Sequence, residues 1–294
     1  MADNIQDIKR RIKSVNSTKQ ITHAMELVAS AKLRKSRELA EGRRPYFDAM
    51  IESMNRIVAK TTGAPNEFMK LREVKKVAYI LITADRGFAG GFNANVSKMV
   101  EEHIDNKENA VLYTVGTKGR DHFKNRFYHI EGEYDGITEN PSYFHAKEVA
   151  NIIMNGFKNE EFDEVYLAYT KFVSMISQKP ELVRLLPLKR EDVEVDSLDD
   201  AVDIPIEEMT VMRYEPEPED LLSYLIPNYI SDTIYGAMIE SAASQQGARR
   251  MAMESATTNA NDMIEGLTLK FNRVRQAAIT QEISEIVSGA EALK

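Results

Sequence analysis

Residues 221–294 read LLSYLIPNYISDTIYGAMIESAASQQGARRMAMESATTNANDMIEGLTLKFNRVRQAAITQEISEIVSGAEALK. After Pro227 this stretch contains no proline. Met253, Ala256, Ala260, Met263, Leu267, Val274 and Ala277 return at steps of mostly three and four, the rhythm of a helix that keeps one seam against a partner helix. At about 1.5 Å of rise per residue such a helix runs on the order of 100 Å. A compact domain is less than half that long, so the spacing predicts a helix that projects and is covered from outside the chain.

The other end of the chain carries the matching signal. Asp3 or Asn4 can cap a helix whose apolar positions are Ile5, Ile8, Ile12 and Val15, with the rhythm resuming after a shift of phase at Ile21, Met25, Val28 and Ala31. Tyr46, Met50, Met54 and Ile57 carry it past Pro45 to about Lys60, where Thr61-Thr62-Gly63-Ala64-Pro65 ends it. Two long helices that cannot bury their seams alone pair most simply with each other. The expectation is therefore an N-terminal coiled-coil helix over residues 1–60, an α/β domain over 61–206, and a C-terminal helix over 207–294 that pairs antiparallel with the first.

Between the helices the texture alternates. Val77–Thr83 is an apolar run of strand length, followed by the glycine loop Asp85-Arg86-Gly87-Phe88-Ala89-Gly90-Gly91 and an amphipathic stretch to about His103. Ala110–Val115 reads as a second strand, Gly119–Asn125 as a short helix, Tyr143–Phe157 as a helix and Glu164–Thr170 as a strand. Ser174–Leu188 is broken by Pro180 and Pro187 and reads as edge strands or loops. The alternation implies a small, mostly parallel, Rossmann-like sheet. Glu191–Asp203 is acidic and weakly patterned, and Glu215-Pro216-Glu217-Pro218 marks a joint before the last helix.

Composition narrows the function classes. The 294 residues are 43% hydrophobic and 29% charged, an ordinary globular balance. The sequence shows neither an apolar run of membrane-spanning length nor a basic-then-apolar leader at Met1, so neither direct membrane insertion nor export by a cleaved signal is expected. The absence of cysteine excludes disulfides, thiolate metal sites and thiol nucleophiles. The net charge of −8 is unevenly spread: residues 1–45 carry eleven Lys/Arg against five Asp/Glu, whereas residues 46–220 carry 21 against 33. A basic helix suits nucleic acid, an acidic lipid surface or an acidic protein partner.

Motifs for chemistry are thin. The Gly87–Gly91 loop follows a strand and precedes a helix, where phosphate could meet backbone N–H groups, which makes a nucleotide-binding α/β enzyme one alternative reading. Its spacing fits neither G-x-G-x-x-G nor G-x-x-x-x-G-K-[ST], which favours a tight turn with close backbone packing. His23, His103, His122, His129 and His145 keep no metal-ligand spacing. A coiled-coil nucleic-acid adaptor working through the basic helix is the other alternative, but there Arg and Lys are interleaved with seam residues. No catalytic residue, cofactor or metal is expected.

The two ends together are specific. Ile279-Thr280-Gln281-Glu282-Ile283-Ser284-Glu285-Ile286-Val287-Ser288-Gly289-Ala290, the small-residue seam Ala248–Ala260, Ile12-Lys13-Ser14-Val15, Met25–Arg34 and the Asp85–Asn93 loop closely resemble the gamma-subunit family of bacterial F-type ATP synthases over nearly the whole chain. That resemblance implies a non-catalytic central-stalk rotor. Its paired helices would stand within three alpha and three beta subunits, and its α/β domain would form a foot with the epsilon subunit on the c-ring. Such a complex lies peripherally on the cytoplasmic face of the cell membrane. Moving one charge through 100 mV is worth about 2.3 kcal/mol, and several such steps must be passed on per ATP, which calls for a stiff shaft.

Residue by residue, the resemblance implies that Arg275, Gln276, Thr280 and Glu282 meet a catch loop of beta. Met25, with Lys32, Arg34 and Lys35 nearby, and Arg249 would pass the acidic lever of beta. Tyr214 would lie in the foot. The thiol switch of chloroplast relatives has no counterpart here, since cysteine is absent.

Overall fold

The computed structural model describes residues 2–60, 66–188 and 218–292. Along them run helix α1 (Ala2–Lys60), strand β1 (Val77–Ile82), helix α2 (Phe92–His103), strand β2 (Ala110–Val115), helix α3 (Thr117–Lys124) and strand β3 (Ile130–Tyr134). Helix α4 (Tyr143–Lys158), strands β4 (Glu164–Phe172) and β5 (Gln178–Leu186), and helix α5 (Pro218–Ala292) follow. The chain divides into two units, Met1–Ala31 with Arg249–Lys294, and Lys32–Ala248. The acidic segment Glu191–Asp203, Tyr214 and the expected joint up to residue 217 lie outside the described residues. Proline opens α5, a place where its missing N–H leaves no helical bond unmade.

In the unit Lys32–Ala248 the strand order is β3-β2-β1-β4-β5. Strands β3, β2, β1 and β4 are mutually parallel and β5 is antiparallel to β4. The central strand β1 feeds two cores by simple alternation. Ala78, Ile80 and Ile82 join Val149, Ile153 and Phe157 of α4, Met50 and Met54 of α1, and Ile226, Ile230 and Ile234 of α5. Tyr79 and Leu81 join Val96 and Val100 of α2 and Phe123 of α3. A strand covered on both faces must be continuously apolar, which is why Val77–Ile82 is so plain in the sequence. β3 lacks that signal because it is an edge strand whose residues alternate between half-buried and exposed. The Ser174–Leu188 segment resolves into one edge strand, with Pro180 opposite Thr170.

A close backbone approach lies where the chain leaves β1 and where it passes from β2 into α3. A Cβ on Gly116, whose φ is +100°, would stand 2.6 Å from the Thr83 carbonyl oxygen, and one on Gly119 would stand 2.8 Å from the Thr83 and Leu81 side chains. The Gly119 N–H donates to Thr83 Oγ1 at 2.8 Å across this gap. In the Gly87–Gly91 loop, where the sequence predicts a tight turn with close backbone packing, a Cβ on Gly87 or Gly90 would meet nothing within 4 Å, and one on Gly91 would meet only the Asn95 side chain at 3.1 Å. Gly90 supplies a left-handed turn, at φ +54°.

In the unit Met1–Ala31 with Arg249–Lys294, two contacts set the direction of the helices. Thr22 Oγ1 lies 2.8 Å from Thr257 Oγ1, and the Lys9 ammonium lies 5.6 Å from the Phe271 ring centre. Going back along α1 goes forward along α5, so the pair is antiparallel. The inner positions on α1 are Ile5, Ile8, Ile12, Val15, Lys19, Thr22, Glu26 and Ala29; those on α5 are Met253, Thr257, Ala260, Ile264, Leu267, Phe271, Val274 and Ala278, all buried or half-buried. Both series step by threes and fours without interruption.

Two sequence expectations are thereby corrected. The seam of α1 does not change phase: Ile21 and Val28 are 60% and 55% exposed, and polar residues hold the inner places instead. Lys19 and Glu26 can do so by packing their stems and turning their charges outward, and Thr22 by donating to the Lys19 carbonyl at 3.0 Å. On α5, Met263 and Ala277 face outward, with Ile264 and Ala278 in the seam.

Candidate functional site

Continuing the Thr22–Thr257 pairing brings Ala2 level with Ala277, so α5 outruns α1 by about four turns. Residues 281–291 are all exposed. Among them and just before, Ile279, Ile283, Ile286 and Val287 are 47%, 57%, 71% and 57% exposed. On a helix turning 100° per residue they fall, with Ala290, inside an arc of about 100°. That arc is rotated by about 140° from the seam line of Phe271, Val274 and Ala278. Along the old seam line the side chains become Gln281, Glu282 and Glu285, and Gln281 Nε2 donates to Glu285 Oε1 at 2.8 Å. The apolar face of α5 thus changes sides where α1 ends.

The residues singled out from the sequence fall into two groups. Arg275 and Glu282 border the exposed apolar arc on one side and Thr280 on the other, Gln276 lies in line with it one turn before Ile279, and all four are exposed. The Arg275 guanidinium lies 6.0 Å from the Phe271 ring centre, and Thr280 Oγ1 donates to the Gln276 carbonyl at 2.9 Å. Met25 is half-buried and level with Glu254, while Arg249, 6% exposed, is level with Ser30. The two groups are separated by roughly 35 Å of helix. Ile21 and Val28, exposed beside Met25, form a second outward apolar patch that sequence reading assigned to the seam, and Leu27, also exposed, points away on the other flank. Projecting the rhythm of Ile5–Val15 forward without a break would have placed all three outside it.

The sheet's own crevice is filled by the chain. In an open parallel sheet ligands enter beyond the carboxyl ends of strands where the order reverses, here between β1 and β4. Ser241 Oγ accepts from the Thr170 N–H at 3.1 Å, and Ser244 Oγ donates to the Thr170 carbonyl at 2.9 Å. Ala248 packs on Ala84, Ala89 and Phe92. In the glycine loop Asp85 is engaged as a clamp. Its Oδ1 accepts from the Thr117 and Gly136 N–H groups at 3.2 and 3.0 Å, and its Oδ2 from the Thr138 hydroxyl at 2.7 Å. Burial pushes its pKa up, but the hydrogen bonds from Thr138, Gly136 and Thr117 outweigh that and hold the carboxyl below the ordinary carboxylate range. Among the described residues, no group of three or more His, Cys, Asp or Glu could hold a metal ion.

A family model described as ATP synthase matches residues 4–293. The ATP synthase gamma chain of Acetobacterium woodii, named as sodium ion specific, is 68% identical over 301 residues, covering 100% of both chains. The chain belongs to the ATP synthase gamma family. Another gamma chain, from Alkaliphilus metalliredigens, is 55% identical over 294 residues, again covering 100% of both. The gamma-family fold reappears in a chain of the mitochondrial ATP synthase of Euglena gracilis, solved with its OSCP, F1 and c-ring, at a TM-score of 0.69. That chain is 19% identical, and the match covers 100% of this chain and 95% of that one.

Proposed function

We propose that this chain is the central-stalk rotor of an ion-translocating ATP synthase, passing rotation of a c-ring to the catalytic beta subunits without catalysing anything itself. One observation carries the reading: beyond Ala278 a single helix turns an apolar stripe, Ile279, Ile283, Ile286 and Val287, entirely to the outside. Exposed apolar residues on this scale need a partner to cover them. Three alpha and three beta subunits provide that cover, with Arg275, Gln276, Thr280 and Glu282 reading a loop of beta and Met25 and Arg249 meeting its lever. The domain that includes Tyr214 seats on epsilon and the c-ring, and the complex lies peripherally at the cytoplasmic membrane face. Among the described residues no helix is long and apolar enough to cross a membrane, which suits a peripheral subunit.

Truncation after Ala278 tests this reading. Residues 281–291 are all exposed, so the shortened chain is expected to fold and to enter the complex, while ATP-driven ion pumping by that complex falls. Pumping equal to that of the full-length chain would refute the assignment of the tip.

A further inference from the structure

Arg43 stands where the seam of α1 calls for an apolar side chain. Ser36, Ala40, Arg43, Phe47 and Met50 follow at steps of four and three, all buried or half-buried. Three hydrogen bonds from its guanidinium reach α5. Nε donates to Asp232 Oδ1 at 3.2 Å, and Nη2 donates to Asp232 Oδ2 at 2.8 Å and to the Asp232 backbone carbonyl at 2.7 Å. Asp232 is 3% exposed. The guanidinium carbon lies 4.6 Å from the Phe47 ring centre, and Phe47 stacks on Tyr229 with centroids 6.1 Å apart. Room is made for the fork at Gly236, where a Cβ would stand 2.4 Å from the guanidinium. A glycine inside a helix weakens it, and here it serves the arginine.

Stability does not explain this arrangement well. Stripping water from two charges largely offsets their attraction, and well-packed apolar residues usually do as much. Between helices the best-attested use of a buried polar group is to fix register. Register matters in a twisted helix pair, because changing the winding of two helices requires one to slide along the other. A slip of one turn is about 5.4 Å. After such a slip apolar rungs find new apolar neighbours, but Arg43 loses the place of its carboxylate: one turn either side of Asp232 lie Asn228 and Gly236, one heptad either side lie Leu225 and Ile239, and the next carboxyl, Glu240, which already feels Arg43 from a distance, stands eight residues on.

We infer that the Arg43–Asp232 fork is a register lock that stops α1 and α5 sliding past each other under torque. The inference rests on the central-stalk reading, and the fork acts as a positioning pair.

The test uses the whole complex in inverted membrane vesicles, carrying Arg43→Leu together with Asp232→Leu and compared with wild type at matched content of this chain. Assembly and the thermal midpoint are expected to be equal or higher, with ATP hydrolysis kept, while ion uptake per ATP hydrolysed falls about twofold or more. Arg43→Lys, which keeps the charge and loses the fork, is expected to give an intermediate ratio. An unchanged ratio in the Leu pair overturns the inference. So does loss of assembly in the Leu pair, which would make the bridge a stabilising contact. A complex lacking the whole chain supplies the reference. If uptake per ATP does not depend on the chain, the central-stalk reading falls; if it depends on the chain but not on the fork, the register lock alone falls.

Discussion

Two carboxyl groups in the α/β unit titrate in opposite senses. Asp85 is held ionised by donors from the first turn of α3 and from the loop after β3, so its folded pKa lies below the ordinary 3.8. A depressed carboxyl stabilises the fold above its unfolded pKa and loses that contribution as pH falls through the folded value. Asp85→Ala strands the Thr117, Gly136 and Thr138 N–H groups and is expected to cost about 2 kcal/mol at neutral pH. Urea unfolding across pH should show the gap between variant and wild type narrowing below the ordinary 3.8. Glu240 is the reverse case: burial and the nearby Glu181 push its pKa above 4.5, against the pull of Lys171 and Arg43. Its Oε2 is buried without a hydrogen-bond partner. The folded state therefore holds this proton longer than the unfolded state, and stability declines as pH rises from 4.5 through the folded value. Glu240→Gln should raise the thermal midpoint near pH 8 and leave it unchanged near pH 4.

At the scale of elements, what could be read from the sequence follows from burial. β1 and β2 were legible because they are buried runs, and α4 because its seven buried residues keep helical spacing. β3 was not, since an edge strand reading Ile-Glu-Gly-Glu-Tyr has no core face strong enough to mark it. In the helical seam, hydrophobicity alone misled. Ile21 and Val28 are apolar yet outside the seam, and Thr22 is polar yet inside it, where it meets Thr257. The same limit applied to glycine, whose role depends on what stands opposite. Gly116→Ala, with φ +100° and the Thr83 carbonyl 2.6 Å from the new Cβ, is expected to cost about 2–4 kcal/mol. Gly87→Ala meets nothing within 4 Å and is expected to be near neutral in the same denaturation assay. At the tip, the polar group Arg275, Gln276, Thr280 and Glu282 came from resemblance, whereas the apolar arc between them emerged only from the helix geometry.

For the molecule as a whole, a Rossmann-like sheet has been kept while its ligand crevice is closed by the chain's own C-terminal helix through Ser241, Ser244 and Ala248. Equilibrium dialysis of the purified chain with ATP or NAD is accordingly expected to find no saturable site. The sheet then works as a mount for α1 and α5, since Met50, Met54, Ile226 and Ile230 share its larger core.

The helix that continues alone past Ala278 has a mechanical consequence. A wound pair resists twisting through two backbones and the packing between them; a lone helix resists through its own hydrogen bonds only. The last turns are therefore a compliant spring in series with a stiffer rod. Under load, angular strain gathers there, and the side chains around Ile279–Val287 trail the doubled section by a lag that grows with the work being transmitted.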